Sequence, residues 1–387
     1  MDVRITPAPL SGSVRAIASK SQAHRLLILS AFADGPSTLI LGETNQDIEA
    51  TASCLIALGA DIQRTDKGYE IEPVKQVPVY ADLYCKESGS TLRFLLPVVG
   101  ALGLKATFHL EGRLPLRPLS PLWEEMERMG CSLSRPTKSS ILCTGKLRPG
   151  NYSIAGNVSS QFITGLLLAF ELMDKPSVLY ITGHIESTPY IHMTKAAMAL
   201  FQPKRHTPGE LKVEGDWSNA AFFLAAATLG QSVTVTGLSN SSVQGDKASA
   251  FWLPKLKKHC IIDASDIPDL VPILSVVAAA NKGAVFTNVQ RLRSKESDRV
   301  NAITSMIRSL GGHAQATEDT LSIQGTGLRG GIVSSFNDHR IAMSAAIAAT
   351  VCTSEVTILG AQCVNKSYPA FWDEYARLGG KYEQYIR

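Results

Sequence analysis

The chain has 387 residues, 45% of them apolar, with a net charge of +4 and a mean hydropathy of +0.06. That length exceeds what one compact core usually holds, so two domains are expected. So small a charge argues against nucleic acid and suits a small acidic ligand. The longest apolar run, LVPILSVVAAA (270–280), is far short of the roughly 20 residues a membrane span needs. MDVRITPAP has no apolar core for a signal peptide. Seven scattered cysteines without a CxxC pair read as reduced thiols of a cytoplasmic protein, not as a disulfide framework or metal centre.

Taken in chain order, one pattern returns: an amphipathic helix, a Gly-containing stop, an alternating strand, a polar turn and a second strand. It is clear in CLIALGADIQRTDKGYEI (54–71), EEMERMGCSLSRPTKSSILCTG (124–145), SMIRSLGGHAQATEDTLSIQG (305–325) and EYARLGGKYEQYI (374–386). Weaker copies fall at HMTKAAMALF…LKVEG (192–215) and FWLPKLKKHCIID (251–263), where a hairpin strand after Cys260 has almost no room. Gly59 and Gly130 lie 71 residues apart and Gly311 and Gly379 lie 68 apart, but Gly130 to Gly311 is only 181. Three units would need roughly 210, so six similar βα units are expected, two of them shortened. The last copy ends after one strand, and VRITPAP is its expected partner. The chain then starts and finishes in one domain. The expected division is 1–15 with 216–387, and 16–215, with a ligand site in the interdomain cleft.

Five predicted helices begin in a shared way. ASKSQAHRLLILSAF (18–32) opens with Lys20, Ser21 and Arg25, and ESGSTLRFLLPVVGAL (87–102) with Gly89, small hydroxyls and Arg93. NVSSQFITGLLLAFEL (157–172) opens with Ser159, Ser160 and Gln161. RLRSKESDR (291–299) leads into VNAITSMIRSLGG, and FNDHRIAMSAAIAATV (336–351) opens with Asn337 or Asp338 as a cap before His339 and Arg340. A helix start is already electropositive, so cations there are disfavoured unless an anion neutralises them. Free backbone N–H groups together with Lys or Arg make phosphate and carboxylate sites. Neither a P-loop nor a GxGxxG after a strand is found, so a nucleotide is not indicated.

These residues, in the order KSQAHR (20–25), SGSTLR (88–93), LRPL (116–119), SSQF (159–162), STPYI (187–191), DIPD (266–269), KESDR (295–299), NDHRIAM (337–343) and NKSYP (365–369), resemble the 5-enolpyruvylshikimate-3-phosphate synthase family of enolpyruvyl transferases over nearly the whole length. The resemblance implies a two-domain α/β fold of six βαβαββ units in an inside-out α/β barrel arrangement. It implies transfer of the enolpyruvyl group of phosphoenolpyruvate to the 5-hydroxyl of shikimate 3-phosphate with release of phosphate, in the shikimate pathway. Neither a metal nor an organic cofactor is expected, and the chain is expected to act as a monomer.

By motif position, the resemblance places Lys20, Ser21, Arg25, Ser159, Ser160, Ser187, Asp269 and Lys295 around shikimate 3-phosphate, with Tyr190 nearby. Lys20, Gly89, Arg117, Gln161, Arg299, Arg340 and Lys366 would surround phosphoenolpyruvate. The addition needs one acid–base group at the 5-oxygen and another at the methylene carbon. Lys295 and Asp269 are assigned to the oxygen and Glu296 to the carbon, with arginines at the leaving phosphate.

Three departures stand against the family pattern: Arg291, where some members have a neutral residue contacting the shikimate hydroxyls, and the short stretches QPKRHTPGELKVEG (202–215) and ASAFWLPKLKKHCIIDAS (248–265). Two other readings stay open. A catalytically silent relative would only bind anions. A UDP-N-acetylglucosamine enolpyruvyl transferase is expected to carry a loop cysteine, which EGRLPLRPLSPLW lacks.

Overall fold

The computed structural model describes residues 1–202 and 206–385. Pro203, Lys204 and Arg205 of QPKRHTPGELKVEG, together with Ile386 and Arg387, lie outside the described residues. The chain divides into two compact units, Met1–Ile17 with Gly215–Arg387, and Ala18–Glu214. Each has its own apolar core. Among the described residues there are six sheets, four of four strands and two of two strands.

One complete repeat runs from strand Tyr80–Lys86 through helix Gly89–Leu102 to the parallel strand Lys105–Leu110. Helix Leu122–Arg128 then leads into the hairpin Cys131–Ser134 and Ser140–Gly145, whose second strand lies antiparallel to Lys105–Leu110. Alternation decides the strand faces: Ala81, Leu83 and Cys85 are buried, while Tyr80, Asp82, Tyr84 and Lys86 are exposed. The helix Gly89–Leu102 is apolar on nearly all sides and is buried on nearly all sides. Its neighbour Ser160–Phe170 packs so closely that a side chain on Gly165 would run into the carbonyl of Arg93.

In the unit Ala18–Glu214, strand Ser37–Ile40 pairs antiparallel with Gly68–Glu72, which continues the hairpin with Asp61–Thr65. The strand that opens this repeat is Glu210–Lys212, at the other end of the unit, parallel to Ser37–Ile40. In the other unit, Ala284–Thr287, Thr320–Gln324 and His313–Ala316 make the corresponding sheet, opened by Cys260–Asp263. The last repeat takes its final strand from the N-terminus. Asp2–Thr6 lies antiparallel to both Lys381–Tyr385 and Val356–Leu359, as the unpartnered C-terminal strand requires.

The two weak copies depart from the sequence reading. Glu210–Lys212 and Cys260–Asp263 are not hairpin strands of those copies; each pairs in parallel and opens another repeat, the one at Ser37–Ile40 and the one at Ala284–Thr287. The shortened repeats are therefore parallel pairs alone, Asn151–Ala155 with Val178–Thr182 and Ser11–Arg15 with Ser232–Thr236. The lost length is the length of a hairpin. The helices that carry KSQAHR, SGSTLR, SSQF, KESDR and NDHR are all formed.

Candidate active site

In Ala18–Glu214, three apolar helices begin with serine. Ser19, Ser88 and Ser159 accept from the backbone N–H of Gln22, Thr91 and Gln161, and no acidic residue lies in any of the three first turns. A serine cap satisfies one free N–H without adding charge, so each helix start stays electropositive. Arg25 projects from the first of these helices and is 2% exposed. Its Nε donates to Thr194 Oγ1 at 2.9 Å, Nη1 to the Ser21 carbonyl at 2.5 Å, and Nη2 to Thr164 Oγ1 and the Tyr190 carbonyl at 3.2 and 3.1 Å. Every one of these acceptors is neutral. Burial pushes the Arg25 guanidinium down to about 10, with Tyr190 opposing. A buried cation surrounded by neutral dipoles favours an added anion.

Arg25 thereby ties the KSQAHR helix to those of SSQF and STPYI. Ser187, in the last motif, is 1% exposed and holds a left-handed backbone at φ 56°, where a serine is strained. A second cluster joins SGSTLR, LRPL and SSQF. Arg93 donates to Gln161 Oε1 at 2.8 Å, and Gln161 Nε2 to Ser90 Oγ at 3.0 Å. A Cβ on Gly89 would collide with the Arg117 guanidinium, with Cζ at 3.0 Å, and would press Arg93 Nη1 at 3.2 Å. Gly89 is needed because a guanidinium lies against its backbone. The Nε of Arg117 is buried and finds no acceptor among the described residues. Lys20 pairs with Asp47 at 2.9 Å.

The other unit is built from carboxylates. Asp216, Asp298 and Asp338 cap the helices Trp217–Thr228, Arg299–Ser309 and His339–Ala349, and Asp269 stands two residues before Val271–Ala280. The Arg299 side chain is 1% exposed. Its Nε donates to Asp338 at 2.8 Å, Nη1 to Asp269 at 2.5 Å and Nη2 to Glu296 at 2.6 Å. Three carboxylates hold its charge well above the ordinary range against the opposing effect of burial. Asp269 also accepts from Arg340 at 3.3 Å and lies 3.7 Å from Lys295 Nζ. Burial pushes the Asp269 carboxyl up, but Arg340, Lys295 and Arg299 outweigh it and keep the group ionised. Burial lowers Lys295 to about 8, with Asp269 opposing and Arg291 and Arg299 adding to the fall. A lysine at that value can exchange a proton near neutral pH.

Lys366 joins through the backbone. Phe336 and Asn337 are both left-handed, at φ 51° and 56°, and the Asn337 carbonyl accepts from Lys366 Nζ at 2.9 Å. Lys295, Glu296, Asp269, Arg299 and Arg340 thus form one connected cluster, and Lys366 reaches the turn that starts the Arg340 helix. Asp338 was recognisable as a cap, but its bond to Arg299 was not. Asp47, the partner of Lys20, carries no sequence signal because it lies 27 residues away on another helix. Asp246 was missed as well. It is 2% exposed and pushed up to about 6 by burial and by Asp269, with Arg340 opposing.

The model of the family EPSP synthase (3-phosphoshikimate 1-carboxyvinyltransferase) matches residues 5–375. A 3-phosphoshikimate 1-carboxyvinyltransferase of Clostridium kluyveri is 36% identical, over 99% of this chain and 98% of that protein. The enzyme of that name from Clostridium acetobutylicum is 38% identical, over 98% and 97%. Among solved structures, the EPSP synthase of Acinetobacter baumannii superposes with a TM-score of 0.78 at 21% identity, covering 99% of this chain and 100% of that one. The enolpyruvyl transferase NikO of Streptomyces tendae does so with a TM-score of 0.78 at 15% identity, covering 99% and 98%. The fold is that of the enolpyruvyl transferases, and with a family match that spans all of the motif helices, this chain belongs to the EPSP synthase (3-phosphoshikimate 1-carboxyvinyltransferase) family.

Proposed function

We propose that the chain transfers the enolpyruvyl group of phosphoenolpyruvate to the 5-hydroxyl of shikimate 3-phosphate, by addition and then elimination of phosphate, on the way to chorismate and the aromatic amino acids. The observation that carries this reading is Asp269, an ionised carboxylate within reach of Lys295, Arg299 and Arg340, on a chain whose curated relatives share this activity.

The roles follow from the chemistry. Lys20, Ser21, Arg25, Ser159, Ser160 and Ser187 take the phosphorylated acceptor, with Asp269 and Lys295 at its hydroxyls. Lys20, Gly89, Arg117, Gln161, Arg299, Arg340 and Lys366 take phosphoenolpyruvate. In the addition, O5 gives its proton to a base and bonds to C2, while C3 gains a proton. In the elimination, C3 loses a proton as the C2–phosphate bond breaks. Lys295 is the better matched base for the hydroxyl, because Asp269 is held too acidic to pull a proton strongly. Asp269 orients the hydroxyl and steadies the lysine. Glu296 serves C3. Since Glu296 is bonded to Arg299, a substrate carboxylate or phosphate that engages Arg299 competes for that guanidinium and frees Glu296 to move protons. The leaving phosphate is stabilised by the arginines. The chain is taken to work as a cytoplasmic monomer.

The test is phosphate release from purified protein given phosphoenolpyruvate and shikimate 3-phosphate without added metal, with UDP-N-acetylglucosamine as a parallel acceptor. Release with shikimate 3-phosphate alone is expected. Release only with the sugar nucleotide, or from neither by folded protein, overturns the reading.

A further inference from the structure

Near the start of the Gly89 helix lies a run of buried polar groups to which the reaction above gives no part. His24 Nδ1 is 2.7 Å from Thr51 Oγ1, Thr51 Oγ1 is 2.7 Å from Thr91 Oγ1, and Thr91 Oγ1 donates to Ser88 Oγ at 2.7 Å. His24, Thr51 and Thr91 are fully buried and Ser88 is 1% exposed. The His24 Nε2 atom is buried and has no hydrogen-bond partner among the described residues.

We propose that His24 is a positioning residue for the phosphoenolpyruvate end of the reaction: its Nδ1–H starts a one-way chain of hydrogen bonds through Thr51 and Thr91 that sets Ser88, the residue before Gly89. This rests on the functional reading above. The direction follows by counting protons. A threonine hydroxyl has one proton to donate. Thr91 uses its proton on Ser88, so it accepts from Thr51. Thr51 has then used its own and must accept from His24. The ring therefore carries its proton on Nδ1 and leaves a lone pair at Nε2, the less costly atom to leave unpaired, since orphaned buried N–H groups are rarer than under-satisfied acceptors. Burial, reinforced by the Lys20 and Arg25 cations beside it, keeps the ring neutral by holding it well below the ordinary histidine range. A second proton would also sit at Nε2 with nothing to receive it.

The chain crosses three helices, Lys20–Ala31, Gln46–Ala57 and Gly89–Leu102. Two of the linked residues share a helix face with a member of the Lys20–Asp47 ion pair one turn earlier, Lys20 before His24 and Asp47 before Thr51. The Asp47 carbonyl, 3.4 Å from Thr91 Oγ1, is the more distant alternative acceptor for that one Thr91 proton, which leaves the direction of the chain unchanged, while the Asp47 carboxylate holds Lys20. The placement of Lys20 and of the Gly89 backbone against Arg117 thus depends on a polarised series whose links strengthen one another.

The experiment compares His24→Leu, His24→Asn, His24→Gln and Thr51→Val with wild type. Asparagine places its amide nitrogen near the position of Nδ1, whereas glutamine reaches toward Nε2. His24→Leu and Thr51→Val are expected to raise KM for phosphoenolpyruvate about 10-fold, with kcat within about 3-fold, as loss of one buried hydrogen bond predicts. His24→Asn should return KM to within about 3-fold and His24→Gln should not. In long-range proton–nitrogen spectra of wild type, the ring should stay neutral and Nδ1-protonated from about pH 8 to about pH 5. A ring protonated at Nε2, equal behaviour of the asparagine and glutamine variants, or an unchanged KM in Thr51→Val overturns the proposal. If wild type releases no phosphate, the functional reading falls, while the spectrum still decides the direction of the chain.

Discussion

Arg299 and Arg25 are both buried on motif helices, Arg299 at the first position and Arg25 in the second turn, yet their surroundings are opposite. Arg299 has a carboxylate at Nε and at each terminal nitrogen, from Asp338, Asp269 and Glu296. Arg25 has two threonine hydroxyls and two backbone carbonyls. The helix caps follow suit: Asp216, Asp298 and Asp338 in one unit, Ser19, Ser88 and Ser159 in the other. One unit surrounds its buried arginine with carboxylates, beside Lys295, which burial lowers to about 8. The other gives its buried arginine neutral acceptors, although it pairs Lys20 with Asp47. The same repeated scaffold supports both, so the difference lies in the caps and in the acceptors around each arginine.

The sharpest way to break this comparison is to remove the two arginines in turn. Arg299→Met takes the guanidinium from the buried Asp338 and from the half-buried Asp269 and Glu296, and should cost about 3–5 kcal/mol of stability by denaturant titration. Arg25→Met leaves only neutral groups behind and should cost less than about 2 kcal/mol, while weakening shikimate 3-phosphate binding about 100-fold in calorimetry. Equal stability losses would erase the contrast.

A somewhat smaller effect is expected at the proton-transfer centre. Lys295→Met should lower kcat about 100-fold or more. As a base, Lys295 works in its neutral form, so kcat/KM should rise with pH and level off above about 8, and this rise should vanish in the variant. In the unit Ala18–Glu214, Gly89→Ala displaces the Arg117 guanidinium. It should raise KM for phosphoenolpyruvate about 10-fold and leave the unfolding midpoint nearly unchanged, because the strain falls on a flexible side chain.

A separate effect, on the pH dependence of stability, concerns Asp246. Its carboxyl is pushed up to about 6, so between its ordinary value and 6 the folded protein holds more protons than the unfolded chain. Stability should therefore fall as pH rises through that window, by about 2–3 kcal/mol relative to Asp246→Asn. Denaturation of both proteins at about pH 4 and about pH 7 checks the sign.

Much of this was legible in sequence because it is local. Ser159 and Asp338 announce their helices by type and position, and the unpaired C-terminal strand pointed to VRITPAP, which Asp2–Thr6 supplies. The shortened repeats were readable as missing length. Their outcome was not: whether Cys260–Asp263 closes one repeat or opens the next depends on which strand it pairs with, and both choices satisfy the same alternation.

The amino-acid order by itself determined the repeat, the helix starts, the excess of cations placed against helix dipoles and the family motifs, since each is set by residues within a turn or two of one another. Only the tertiary structure decided which anion answers which cation. Arg299 meets carboxylates from 30 and 39 residues away, and His24, Thr51 and Thr91 meet across separations of 27 and 40. Charge and hydrogen-bond partners act through distance in space, and a buried arginine reads the same in sequence whether carboxylates or carbonyls surround it.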